Sequence, residues 1–153
     1  MKMICESEKL DDYLIELDEV NYSHPKIKAK AEKLFNTSQT EIEKAKVAFE
    51  SGFCYQRLML FDTPEKGYSL HALNAVYLKS QNKWLRLDAR GNKTGVDAQF
   101  SIDEEKLAFS VNEQFDEKDY SVIFVKPNLK TITVLKTHTD ALEMYKQHLP
   151  ESI

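Results

Sequence analysis

Cysteine, glycine and proline are all scarce in this 153-residue chain. The two cysteines, Cys5 and Cys54, form no disulfide framework and lack the paired spacing of a metal site. Four glycines and four prolines exclude a collagen-like or linker-rich chain. There is no basic excess either: 21 Lys and Arg against 25 Asp and Glu leave a net charge of −4. That speaks against a nucleic-acid binder that relies on a basic face. No apolar run approaches the ~18 residues of a membrane span. The stretch Met1 to Glu8 turns acidic at once and has no apolar core, so no signal peptide is expected. What remains is 42% hydrophobic and 30% charged, ordinary for a globular domain. The expectation is one soluble cytoplasmic domain over residues 1–153.

Three parts are expected within it: a mainly helical part at 1–52, an antiparallel sheet part at 53–135 and a C-terminal helix at 136–153. Tyr13, Ile15 and Leu17 alternate with polar neighbours, which predicts a short strand. Ser23-His24-Pro25 reads as a helix start, with Ser23 as the cap. Ser38-Gln39-Thr40-Glu41 is a capping box for a second helix reaching Gly52. Phe53–Phe61, Tyr68–Leu78 and Trp84–Ala89, separated by turn-forming segments, predict a three-stranded meander. Ser101 to Glu104 is a capping box for a short helical turn. Tyr120–Lys126 reads as a strand, and Thr131–Leu135 as another strand or an extended arm. Thr137 to Asp140 caps the last helix, at 139–149. Helices, then strands, then one helix give an α+β domain.

The candidate chemistry centres on His71, inside the second meander strand, and Asp88, at the end of the third. A turn centred between Lys79 and Ser80 makes them direct cross-strand partners. A centre nearer Gln81 displaces them by about two residues, ~7 Å at strand rise. A carboxylate beside an imidazole fixes its tautomer and raises its basicity, as the base and orienter of a nucleophilic triad require. A structural His–Asp pair is the alternative. Cys54 is the thiol near the meander. A first hairpin centred near Glu65 sets residue 60 opposite His71 and Cys54 opposite Tyr77, roughly 20 Å away along the strand. A productive pair needs ~3–4 Å. The flanking Phe53 and Tyr55 suggest a buried thiol. Ser69 projects beside His71 rather than toward it. His24, His138 and His148 are scattered, so no metal site is expected. No glycine loop cradles a phosphate, and no cofactor is expected. Glu104-Glu105 and Asp116-Glu117 read as surface charge. Arg57, Arg86 and Arg90 read as anchors for strand ends through carboxylate pairs.

Gly52-Phe53-Cys54-Tyr55-Gln56-Arg57-Leu58, then His71-Ala72-Leu73-Asn74-Ala75-Val76-Tyr77, then Trp84-Leu85-Arg86-Leu87-Asp88-Ala89-Arg90-Gly91-Asn92 resemble the second half of a bacterial transglutaminase-like domain of the cysteine protease superfamily. The resemblance runs on from Gly95 through Phe109, and reaches back to Asp18–Pro25. It implies a papain-like fold and a Cys-His-Asp triad that attacks glutamine side chains or peptide bonds. By motif, His71 is the base and Asp88 the orienter. In such domains the nucleophilic cysteine opens a central helix ahead of the strand that resembles Gly52 to Leu60. Here Glu50 runs straight into Ser51-Gly52-Phe53, so that helix is expected to be missing, through an internal deletion or an omitted segment. Cys54 matches a strand position. The resemblance thus implies a protein or peptide partner and an inactive domain. The rival readings are an enzyme that uses Cys54 and an interaction module that pairs through a sheet edge. A sheet face left bare by the missing helix would need other helices, or a second copy in a homodimer. Some animal relatives use calcium, but no oxygen-ligand loop for it is visible.

Overall fold

The computed structural model describes residues 2–36, 40–41, 52–88 and 94–153. Its elements are β1 (Ile4–Cys5), α1 (Pro25–Phe35), β2 (Gly52–Met59), β3 (Tyr68–Leu78), β4 (Lys83–Leu87), β5 (Lys118–Asp119), β6 (Val122–Ile123), α2 (Leu129–Thr137) and α3 (Ala141–Glu143), which continues into a π turn (Met144–His148). The main sheet has the order β4-β3-β2-β5 and is antiparallel, while β1 and β6 form a short parallel pair. Helices and sheet together make an α+β arrangement. The predicted meander is present as β2, β3 and β4.

The first hairpin register differs from the expected one, while the second takes the alternative in which the turn centre lies nearer Gln81. Gly52 pairs with Ala75 and Met59 with Tyr68, which centres the first hairpin between Thr63 and Pro64 rather than near Glu65. The connection holds two 3-10 turns, Leu60–Asp62 and Pro64–Lys66. It is closed by the Leu60 N–H donating to Gly67 O at 2.9 Å. Gly67 takes φ +89°, a left-handed conformation that glycine adopts without a Cβ clash. In the second hairpin Asn74 pairs with Leu87, so the turn centres between Ser80 and Gln81. Asn82, at φ 50°, completes it.

Antiparallel partners share a face of the sheet. One face therefore carries Cys54, Gln56 and Leu58 from β2, His71, Leu73 and Ala75 from β3, and Trp84 and Arg86 from β4. Cys54, Leu73 and Ala75 form a buried cluster with Tyr13 and Ile123, sealed by Met3, Cys5, Trp84, Leu107 and Val125. Leu78 and Leu85 form a second cluster on the other face, with Val76, Phe100 and Ile102.

Several local expectations are corrected. Residues 10–14 form a 3-10 turn instead of a strand. Tyr13 is turned inward there, with its hydroxyl donating to Ser7 O and Ile123 O and its ring 4.9 Å from that of Trp84. His24, not Ser23, caps α1 through Nδ1, which accepts from the Lys26 N–H, while the Ser23 hydroxyl bonds Glu16. α1 itself buries no residue. The second helix expected at 39–50 lies outside the described residues apart from Thr40 and Glu41. The Glu41 carboxylate accepts the backbone N–H groups of Lys79 and Ser80. Ser101 accepts the Glu104 N–H, yet no helix follows. Strand pairing at 120–126 is confined to Val122–Ile123 and a bridge at Phe124. Residues 131–135 belong to a helix, because Asn128 caps α2 by accepting from Lys130 and Thr131. That cap overrides the β-branched run. Asp140 caps α3 as expected.

Candidate functional site

His71 lies mid-strand in β3 and Asp88 immediately follows β4. The register puts them a diagonal step apart on one face, and a diagonal step remains within reach of an imidazole and a carboxylate. Nε2 of His71 stands 2.9 Å from Oδ2 of Asp88, with 5% and 1% of the side chains exposed. An ionised carboxylate only accepts, so Nε2 carries the proton and Nδ1 presents its lone pair. Among the described residues no hydrogen bond engages Nδ1. This is the reverse of the serine-protease triad, where aspartate holds Nδ1 and Nε2 is the base. The same Oδ2 also accepts the Ala108 N–H at 3.1 Å. The Phe109 ring meets the imidazole edge-on, with centroids 5.5 Å apart and planes at 89°.

Cys54 is closer to His71 than the expected register placed it. It faces Leu73, and Gln56 is the residue opposite His71. Cys54 and His71 are thus diagonal neighbours on one face, with a spacing of about 7 Å rather than ~20 Å. No hydrogen bond joins them. The Cys54 thiol is completely buried. Burial pushes its pKa up to about 12, against a smaller pull downward from Arg86. An activated nucleophile requires the opposite shift. Sequence proximity alone ties Ser69 to His71: Ser69 pairs with Leu58.

Four features of the surroundings were not expected from sequence. Gln56, 1% exposed, has its Oε1 buried without a partner directly across from His71. Glu105, read as surface charge, grips Arg86 through two contacts of 2.7 Å. Asp119 takes the other side of the same guanidinium at 2.5 and 2.9 Å. Burial alone would lower the pKa of Arg86, but these two carboxylates outweigh it and leave it raised. Glu117 is buried and accepts the N–H groups of Met59 and Asn112, both at 2.8 Å. Arg86 and Arg57, the latter 3.4 Å from Asp116, are strand anchors as expected, and Arg90 lies outside the described residues.

A cavity of about 1060 Å³ reaches Tyr13 and Val125 at the margin of the Cys54 cluster. It is lined by Phe53 and Asn74, on the sheet face opposite His71, and by Ile27, Ala31 and Leu34 of α1. Among the described residues no group of three or more His, Cys, Asp or Glu is placed to hold a metal. No described helix is long and apolar enough to cross a membrane. No family model matches the chain, and no curated protein or solved structure matches it either.

Proposed function

We propose that this chain is a transglutaminase-like domain of papain-like architecture that keeps the base and orienter of a thiol triad without a working nucleophile. The observation that carries the reading is the buried 2.9 Å contact from His71 to Asp88, with no described residue hydrogen-bonded to Nδ1. In a complete triad that lone pair takes the thiol proton, sulfur attacks the amide carbon, and the amine leaves from an acyl-enzyme thioester. Water or a second amine then releases the acyl group. The Asp88 carboxylate supports this by stabilising the imidazolium and fixing its tautomer. Cys54 does not meet the need, because a buried thiol with a raised pKa has almost no thiolate to offer. The domain then serves as a remnant that binds a glutamine-bearing peptide segment without turning it over.

A glutamine-containing peptide and a fluorescent primary amine provide the test. The expected result is no amine incorporation and no ammonia release above the blank, unchanged in Cys54→Ala, with the peptide still shifting the His71 ring signals in NMR. Turnover abolished by both Cys54→Ala and His71→Gln would overturn the reading in favour of an active thiol enzyme.

A further inference from the structure

Residues 105–109 form neither helix nor strand, yet each of the five is fastened to something. Glu105 chelates the Arg86 guanidinium. Lys106 accepts the Gln99 N–H at 3.0 Å through its backbone carbonyl. Leu107 packs on the buried cluster around Cys54 and Leu73. Ala108 donates its N–H to Asp88, and Phe109 sets its ring edge-on to His71. The guanidinium at one end of this strap belongs to Arg86, two residues before Asp88 and on the same sheet face. The strap is therefore anchored to the strand whose end carries the orienter.

We infer that Glu105, through its fork on Arg86, is a positioning residue for the His71–Asp88 pair. It fixes the strap so that the Ala108 N–H holds Asp88 and the Phe109 edge holds the imidazole plane. A planar guanidinium gripped by two carboxylates is a stiff joint, because two parallel N–H···O bonds fix direction as well as distance. Arg86 is itself immobilised, with its side chain 2% exposed and Asp119 on its far side. Only Lys106 and Leu107 separate Glu105 from Ala108, so a displacement at the joint reaches the Asp88 hydrogen bond with little slack. Supporting partners of this kind determine which imidazole nitrogen carries the proton.

The inference rests on the proposed role of His71 and Asp88, and its test needs no substrate. Histidine ring ¹⁵N spectra at pH 8 report the tautomer of His71. The unmodified chain should show one tautomer, protonated at Nε2, with a resolved Nε2–H proton. Glu105→Ala should lose that proton signal and give averaged ring shifts while the far-ultraviolet circular dichroism is retained. Glu105→Asp, which keeps the charge, should restore the signal in part. Ala108→Pro, which removes the donor at the other end of the strap, should reproduce the loss. Glu104→Ala, at the exposed neighbour paired with Lys106, should leave it intact. A folded Glu105→Ala with an undisturbed Nε2–H signal overturns the inference. If that variant does not fold, Glu105→Gln, which keeps the size, supplies the same reading. A chain that shows the expected spectra but never binds a peptide would leave the positioning role standing and remove the functional reading.

Discussion

The burial of Cys54 gives a prediction with a magnitude. Its pKa rises from 9.0 to about 12 because the thiolate would sit in the sealed cluster of Tyr13, Leu73, Ala75 and Ile123. That rise corresponds to roughly 4 kcal/mol against the charged form. At pH 8 a thiol at about 12 is ionised in one molecule in ten thousand. An ordinary thiol, near 8.5, is ionised in about a quarter. Since the thiolate is the species that alkylates, and a more basic thiolate regains part of the deficit through its higher nucleophilicity, Cys54 should react with iodoacetamide on the order of a hundredfold more slowly than a free thiol. Half-buried Cys5 is an internal reference on the same molecule. The assay is a time course of carbamidomethylation at pH 8, read peptide by peptide by mass spectrometry, with a urea-unfolded control. Protection lost on unfolding is expected. Cys54 labelling within tenfold of the unfolded rate in the folded chain would refute both the burial argument and the exclusion of Cys54 as an unactivated thiol.

Other consequences are equally open to measurement. Arg86→Met leaves Glu105 and Asp119 without their cation and should cost about 3 kcal/mol in urea unfolding, the low end for a broken buried pair because both carboxylates retain water; a loss below 1 kcal/mol contradicts the clamp. Gly52→Ala places a Cβ 2.5 Å from Ile123 Cγ2 and should destabilise by about 1–3 kcal/mol, and Ile123→Ala, which removes that Cγ2, should cost less in the Gly52→Ala background than on its own; strictly additive effects would refute the clash. Burial raises the pKa of Cys54 and of Tyr13, Tyr55 and Tyr120 above 9.0 and 10.0. Folding favours their neutral forms, so their contribution is full below pH 9 and is lost as pH rises through the folded values. Tyrosinate absorbance at 295 nm should accordingly lag that of the unfolded chain, and coincident titrations would count against it.

The meander was legible because each strand carries its own pattern: the Tyr68–Leu78 run appears as β3 with those bounds. The pairing of His71 with Asp88 was legible for a different reason. Two side chains on one face tolerate a diagonal offset, so the contact forms although the turn centre moved from between Lys79 and Ser80 to between Ser80 and Gln81. The first hairpin had no such tolerance. Its eight-residue connection, with Phe61 and Asp62 both at φ 56°, follows no simple turn rule, and the register slid by about two residues at the centre. That slide turned a Cys54 placed far along the strand into a near neighbour of His71. The helix over Leu129–Thr137 was hidden by its β-branched residues, and the capping Asn128 after Pro127 was the signal that would have revealed it. Glu105 and Glu117 were taken for surface charge because a carboxylate's partners lie far away in sequence, at Arg86 and Met59. The tie between Ala108 and Asp88 is made by a backbone N–H, which leaves no trace in residue identity.

Among the described residues His71 is held by Asp88, and under the proposed reading Cys54 is not placed to be activated by Nδ1. A crystal structure of the chain tests this most directly, through the distance from His71 Nδ1 to Cys54 Sγ taken together with the His71–Asp88 contact. Nε2 should stand near 2.9 Å from Asp88, with the sulfur beyond hydrogen-bond reach of Nδ1. A sulfur within about 4 Å of Nδ1 would contradict it and make Cys54 the nucleophile of a working thiol enzyme.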